Sequence, residues 1–207
     1  NDGEVAALAG SMALKDNSVL GISMGTSLAS GYVTPEGNIT SWLNELAFVP
    51  VDYRNDAPAD EWSGDKGCGV QYFSQQAVGR LASNAGLEFP EKMPLPERLI
   101  EVQNLMRKGD KKAIAIFRTI GVFFGYSLAH FADFYDYRNM LVMGRVTSGA
   151  GGDLIIESAG KVLAEEFPEL SINLTTPDEK SKRHGQAIAA ASLPKTNLKP
   201  AKIEGEM

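Results

Sequence analysis

Val19-Leu20-Gly21-Ile22-Ser23-Met24-Gly25-Thr26-Ser27-Leu28-Ala29-Ser30-Gly31-Tyr32-Val33 is a pair of short apolar runs divided by a three-residue turn. Such runs predict two strands, Val19–Met24 and Leu28–Val33, joined as a hairpin through Gly25-Thr26-Ser27. A Gly-Thr turn has a second use. Glycine lets a ligand come close to the backbone N–H groups, and the threonine hydroxyl adds a donor, so phosphate oxygens fit there as well as a plain turn does.

Outward from the hairpin, the pattern alternates. Asn1-Asp2-Gly3 opens an Ala-rich helix over residues 4–14, and either Asn1 or Asp2 is suited to cap it. Pro35-Glu36-Gly37-Asn38 is a strong turn leading to another short strand. Glu45 precedes the apolar run Leu46–Val51, and residues 52–67, rich in Gly, Pro and Asp, read as a loop. A helix is expected over 71–85. Pro90, Pro94 and Pro96 mark a linker before a helix over 97–108.

From Ala113 to Ala132 the chain is apolar, with Ala113, Ile116, Phe117, Ile120, Phe124, Leu128 and Phe131 at helical spacing; Arg118 and His130 interrupt it, which favours a core helix over a membrane span. Met140–Met143 predicts a strand that enters the Gly-rich turn Gly144-Arg145-Val146-Thr147-Ser148-Gly149-Ala150-Gly151-Gly152. A helix over 153–167, a strand over 171–174 and an Ala-rich helix over 185–193 follow, then a flexible Lys-rich tail over 195–207. A hairpin followed by alternating helix and strand predicts an α/β domain with a mixed sheet flanked by helices.

The chain has 207 residues, 43% apolar and 22% charged, as expected of a globular domain with a real core. A net charge of −6 argues against a dedicated nucleic-acid surface. Cys68 is the single cysteine, so no intrachain disulfide can form, which fits a cytoplasmic location. No basic-apolar leader is visible. The sequence opens on a motif and without Met, as an excised lobe of a longer protein would.

One carboxylate at Asp2, a Gly-Thr turn and a late Gly-rich turn are the parts of a phosphoryl-transfer site. Asp2 can take the proton of an attacking hydroxyl, or serve only as a helix cap. Gly144, Gly149, Gly151 and Gly152 would let a nucleotide approach a strand-to-helix turn, or simply make a flexible loop. Arg145 suits an adenine or a phosphate and equally a surface.

Taken in order, these segments resemble the C-terminal lobe of the ROK family of bacterial sugar kinases and sugar-responsive repressors, within the actin and hexokinase ATPase superfamily. The resemblance covers residues 1–193. Asn1-Asp2-Gly3-Glu4 is similar to the family's Asn-Asp-Ala-Asn segment. Gly25, Thr26 and Gly31 match Gly-Thr-Gly-x-Gly-x-Gly, with Ser27 and Ala29 in place of glycines. Glu45 matches Gly-Glu-x-Gly-His, with Ala47 and Phe48 in place of Gly and His. Of the zinc loop Cys-x-Cys-Gly-x-x-Gly-Cys-x-Glu, Gly64, Gly67 and Cys68 remain, while Glu61, Ser63 and Val70 depart from it. Tyr72 and Ser74 also match, and Met143–Thr147 stands for the nucleotide segment.

The resemblance implies an actin-like ATPase (ribonuclease H-like) lobe over residues 1–194. It implies ATP-dependent phosphorylation of a hexose or amino sugar, with Asp2 as base, Asn1 and Glu45 on sugar hydroxyls, and Gly25, Thr26, Gly144 and Gly149 on ATP. Mg²⁺ would be held mainly by the phosphates and an N-terminal lobe, and a homodimer is among the implied assemblies. No zinc is expected, because the ligand set is lost and the loop would keep its shape through Trp62, Tyr72 and Phe73. No membrane or direct nucleic-acid contact is implied for this lobe. The alternative is a sugar-sensing regulator of repressor type that keeps the fold without catalysis.

Overall fold

The computed structural model describes residues 2–177, with the side chain of Asp2 outside that description. Asn1, the helix expected over 185–193 and the tail over 195–207 lie outside the described residues. The elements are α1 (Asp2–Leu14), β1 (Val19–Met24), β2 (Leu28–Val33), α2 (Gln75–Asn84), α3 (Leu95–Arg107), α4 (Lys111–Ala132), β3 (Asn139–Met143), α5 (Gly149–Glu166) and β4 (Asn173–Thr175).

The four strands form one sheet in the order β2-β1-β3-β4. The hairpin makes β1 and β2 antiparallel, whereas β1 pairs parallel with β3 and β3 parallel with β4. A three-residue turn can join only antiparallel neighbours, and the parallel neighbours are reached through the helical crossovers. The sheet is therefore mixed, and both hairpin strands have the expected bounds.

Helix α1 lies across one face. Gly31, Gly21 and Leu141 stand in one row across the three strands, and α1 passes over that row. A Cβ at Gly31 would sit 2.2 Å from the Gly3 carbonyl oxygen, and one at Gly21 would meet the Ala7 Cα at 3.1 Å. The other face carries the larger core, in which Leu20, Ile22, Met24, Met140 and Val142 pack with Phe117, Ile120 and Phe124 of α4 and Ile155 of α5. All seven residues expected on the apolar face of α4 are buried. By length and composition α4 could cross a membrane, yet half of its most apolar window is buried against the rest of the fold.

Several boundaries differ from expectation. The strand after Pro35 shrinks to a single bridge between Val33 and Ile39. Thr34 N–H donates to Asn38 O at 2.9 Å and closes the turn, and the next residues are exposed, so no apolar face continues the ladder. The expected helix over 71–85 starts at Gln75. Ser74 caps it by accepting from Gln76 N–H at 3.1 Å, and residues Gly69–Gln71 form a 3₁₀ turn instead. Helix α5 begins at Gly149, so three of the four glycines taken for a turn lie in its first turn.

Candidate functional site

Because β1 and β3 run parallel with Ser23 opposite Met143, the residues that follow both strands emerge at one edge of the sheet. In open α/β sheets that edge is where ligands bind. Gly144 leaves β3 with φ +105°, and a Cβ there would lie 2.4 Å from the Met24 carbonyl oxygen. Its glycine is required by contact with β1, and that contact sets it beside Gly25. Around Gly25 the space is open: a Cβ would meet only Ser27 O, at 3.6 Å. Thr26 and Ser27 are exposed.

The Gly25 amide is not free. It donates to Ser27 O at 2.9 Å, while Gly25 O accepts from Gln75 N–H at 2.9 Å. The Gly-Thr turn is thus tied at its carbonyl to the start of α2. Of the later glycines, Gly149 is exposed at the first residue of α5, with φ +64° and nothing near its Cα. Ser148 makes no side-chain cap there. Gly151 and Gly152 serve packing: a Cβ at Gly151 would lie 2.6 Å from the Phe117 ring, and one at Gly152 2.0 Å from Thr147 O. Gln103 Nε2 donates to Arg145 O at 2.9 Å and holds this turn to α3. Ser23, Met143, Gly144, Arg145, Thr147 and Ser148 line part of a cavity of about 420 Å³ under α1.

Glu45 is exposed, and its position is set by Ser30 on β2. The buried Ser30 hydroxyl donates to Asn44 O and accepts from Leu46 N–H at 3.2 Å, so it grips both neighbours of Glu45. On the other face of the same strand, a Cβ at Gly3 would lie 2.0 Å from Ser30 O. Asp2, the first residue of α1, and Glu45 are therefore anchored to one point of β2. That point is two residues, about 7 Å, along the strand from Leu28, the first strand residue after the turn. Sequence had singled out Asp2, Glu45, Gly25 and Thr26 but not Ser30. Glu45 lines a different cavity, of about 440 Å³, with Leu43, Tyr53, His130, Phe134 and Tyr135. Glu45 and Gly144 do not share one cavity.

In the segment that resembles the zinc loop, Cys68 is the one cysteine, with Glu61 and Ser63 where the loop has the others. Among the described residues no group of three or more His, Cys, Asp or Glu is arranged for a metal. Cys68 is buried with its Sγ 3.6 Å from Asp65 O, and burial pushes its thiol pKa up. Two carboxylates organise the segment. Asp60 accepts from Ser63 N–H at 2.8 Å and Trp62 N–H at 3.2 Å, and these bonds hold its carboxyl below the usual range. Asp52 is bound by Arg54 through Nε and Nη2, at 2.7 Å for the latter, and by the Tyr72 hydroxyl at 2.5 Å. Arg54 above all holds the Asp52 carboxyl far below its usual value; burial first, then Asp52, pushes the Tyr72 phenol up to about 12. The expected packing role is corrected for Trp62, which is 84% exposed and touches the ring of Phe48 at 5.5 Å. Tyr72 and Phe73 are buried as anticipated.

A mixed sheet, a hairpin turn beside a glycine at the next strand end, and a helix laid across one face make up an α/β lobe. The fold is that of the ROK family. A ROK glucokinase from Streptomyces griseus, solved with glucose and AMPPNP, superposes with a TM-score of 0.73 at 21% identity, over 93% of this chain and 66% of its own. A ROK hexokinase from Thermus thermophilus gives 0.71 at 20%, over 92% and 62%. A ROK transcriptional regulator homologous to the E. coli MLC protein gives 0.67 at 16%, over 92% and 50%. The chain spans less than two thirds of the length of each. No family model and no curated protein sequence matches the chain.

Proposed function

We propose that the chain is the C-terminal lobe of an ATP-dependent kinase for a hexose or amino sugar. The observation that supports this best is the anchoring of α1 and Glu45 to Ser30, a short step along β2 from the Gly25-Thr26 turn. Base, sugar acceptor and phosphate turn must converge on one transferred group. In this scheme Asp2 accepts the proton of the attacking sugar hydroxyl, and that oxygen forms its bond to the terminal phosphorus of ATP. The bond from phosphorus to the bridging oxygen breaks, and ADP leaves. Asn1 and Glu45 hold neighbouring hydroxyls. Thr26 and Gly149 offer N–H donors to phosphate, the open space at Gly25 lets it approach the turn, and Gly144, held against Met24, sets the end of β3 beside that turn for the nucleotide. Mg²⁺ would be held mainly by the phosphates and the N-terminal lobe, and would neutralise charge there. The setting is cytoplasmic, a homodimer is among the assemblies this reading allows, and this lobe meets neither membrane nor nucleic acid.

A second function has its own support. Ser27, Ala29, Phe48 and Val70 depart from the kinase pattern, and a regulator shares the fold. A sugar sensor would keep Glu45 and lose turnover. An assay of ADP release against a panel of hexoses and amino sugars separates the two. Sugar-dependent ADP release supports the kinase; a sugar that raises Tm without any ADP release supports the sensor.

A further inference from the structure

Gln75 is the first residue of α2 and one of the most deeply buried large side chains in the fold, at 1% exposure. Among the described residues, neither its Nε2 nor its Oε1 has a hydrogen-bond partner. Leaving a buried amide unpaired is costly, and an apolar side chain of the same size would avoid the cost. The position of this amide is unusual in a second way. Gln75 N–H is bonded to Gly25 O at 2.9 Å, and Gly25 N–H in turn is bonded to Ser27 O at 2.9 Å. Only these two bonds and one residue of backbone separate Gln75 from the carbonyl that occupies the Gly25 amide.

We infer that Gln75 is a positioning residue for the Gly25-Thr26 turn, held unpaired in the empty chain so that the turn can release its amide to a nucleoside triphosphate. A phosphate oxygen draws the Gly25 N–H away from Ser27 O. The Ser27 carbonyl then lacks a donor, and Gln75 Nε2 is an unspent donor on the segment already bonded to the turn. One hydrogen bond is exchanged for two, so the phosphate does not have to repay the lost internal bond. Thr26 and Ser27 are exposed, and the space beside the Gly25 Cα is open, so a ligand has access to the turn. The inference rests on the nucleotide-binding function proposed above.

The test compares wild type with Gln75→Met, an apolar side chain of similar length. A residue that is purely structural changes stability and affinity in the same direction. Gln75→Met should instead raise Tm by roughly 2–4 °C, through loss of unpaired polar groups, and weaken ATP binding about tenfold in titration calorimetry with Mg²⁺ present. On the unmodified chain, the Gln75 side-chain amide resonance should move as ATP saturates the protein. Equal ATP affinity in the two proteins, or an unmoved Gln75 amide while ATP binds, overturns the positioning role alone. Absence of ATP binding by wild type overturns that role and the nucleotide-binding function together.

Discussion

Gly3 stands directly on Ser30, with room for no side-chain atom between them: a Cβ on Gly3 would lie 2.0 Å from the Ser30 carbonyl oxygen and 2.6 Å from its nitrogen. This contact fixes where α1 begins relative to β2, and so fixes the backbone of Asp2. Backbone meets backbone here, and no rotamer change can relieve an added methyl.

Gly3→Ala should therefore destabilise the fold by about 1–3 kcal/mol or more. Gly160→Ala is the matched control, because its Cβ would meet only Leu174 Cδ1 at 3.8 Å inside α5. There the substitution should stabilise by roughly 0.5–1 kcal/mol, through better helix propensity. Urea denaturation of both proteins checks the pair, and similar effects at the two positions would contradict the close-approach account.

Ser30→Ala should raise the KM for sugar about tenfold and leave the KM for ATP unchanged, since it frees Asn44 and Leu46 on either side of Glu45. It should also cost about 1–3 kcal/mol of stability, because the Leu46 N–H and Asn44 carbonyl lose a buried partner. A stability loss with no change in sugar KM would make Ser30 merely structural.

Much of this arrangement was legible in sequence. The hairpin bounds, the mixed sheet and the buried face of α4 follow from local periodicity, which needs only neighbours in the chain. The glycines after β3 were harder. Gly144, Gly151 and Gly152 suggested a phosphate turn, yet they are explained by Met24, Phe117 and Thr147, contacts of which the first two are distant in sequence. Ser30 was invisible for the same reason, since one serine in a strand says nothing until Asn44 and Leu46 are brought against it. The burial of Gln75 could not be read from sequence, because tertiary packing leaves no mark in a single polar residue.

The 52–67 loop should be independent of metal and sensitive to acid. Chelator treatment should leave Tm unchanged, and elemental analysis showing about one zinc per chain after chelation would contradict the carboxylate account. The Asp52 and Asp60 carboxyls are held below their ordinary values, so the folded state resists protonating them. Their stabilisation is complete above a pH of about 4 and is lost as pH falls further. Tyr72 behaves in the opposite sense: its contribution is complete below a pH of about 10 and fades as pH rises towards 12. Hydrogen exchange of residues 60–66 reports the acid limb, and Asp60→Ala should speed it about tenfold at neutral pH by removing the acceptor for Trp62 and Ser63.

Asp2 as the base of a phosphoryl-transfer site is tested by the kcat of Asp2→Asn in the full-length protein. With a sugar that the wild type phosphorylates, kcat should fall by ~10²–10⁴-fold while nucleotide affinity stays nearly the same. Asparagine caps a helix as well as aspartate does. A variant with unchanged kcat and unchanged stability would show that Asp2 only begins α1, and would contradict the account.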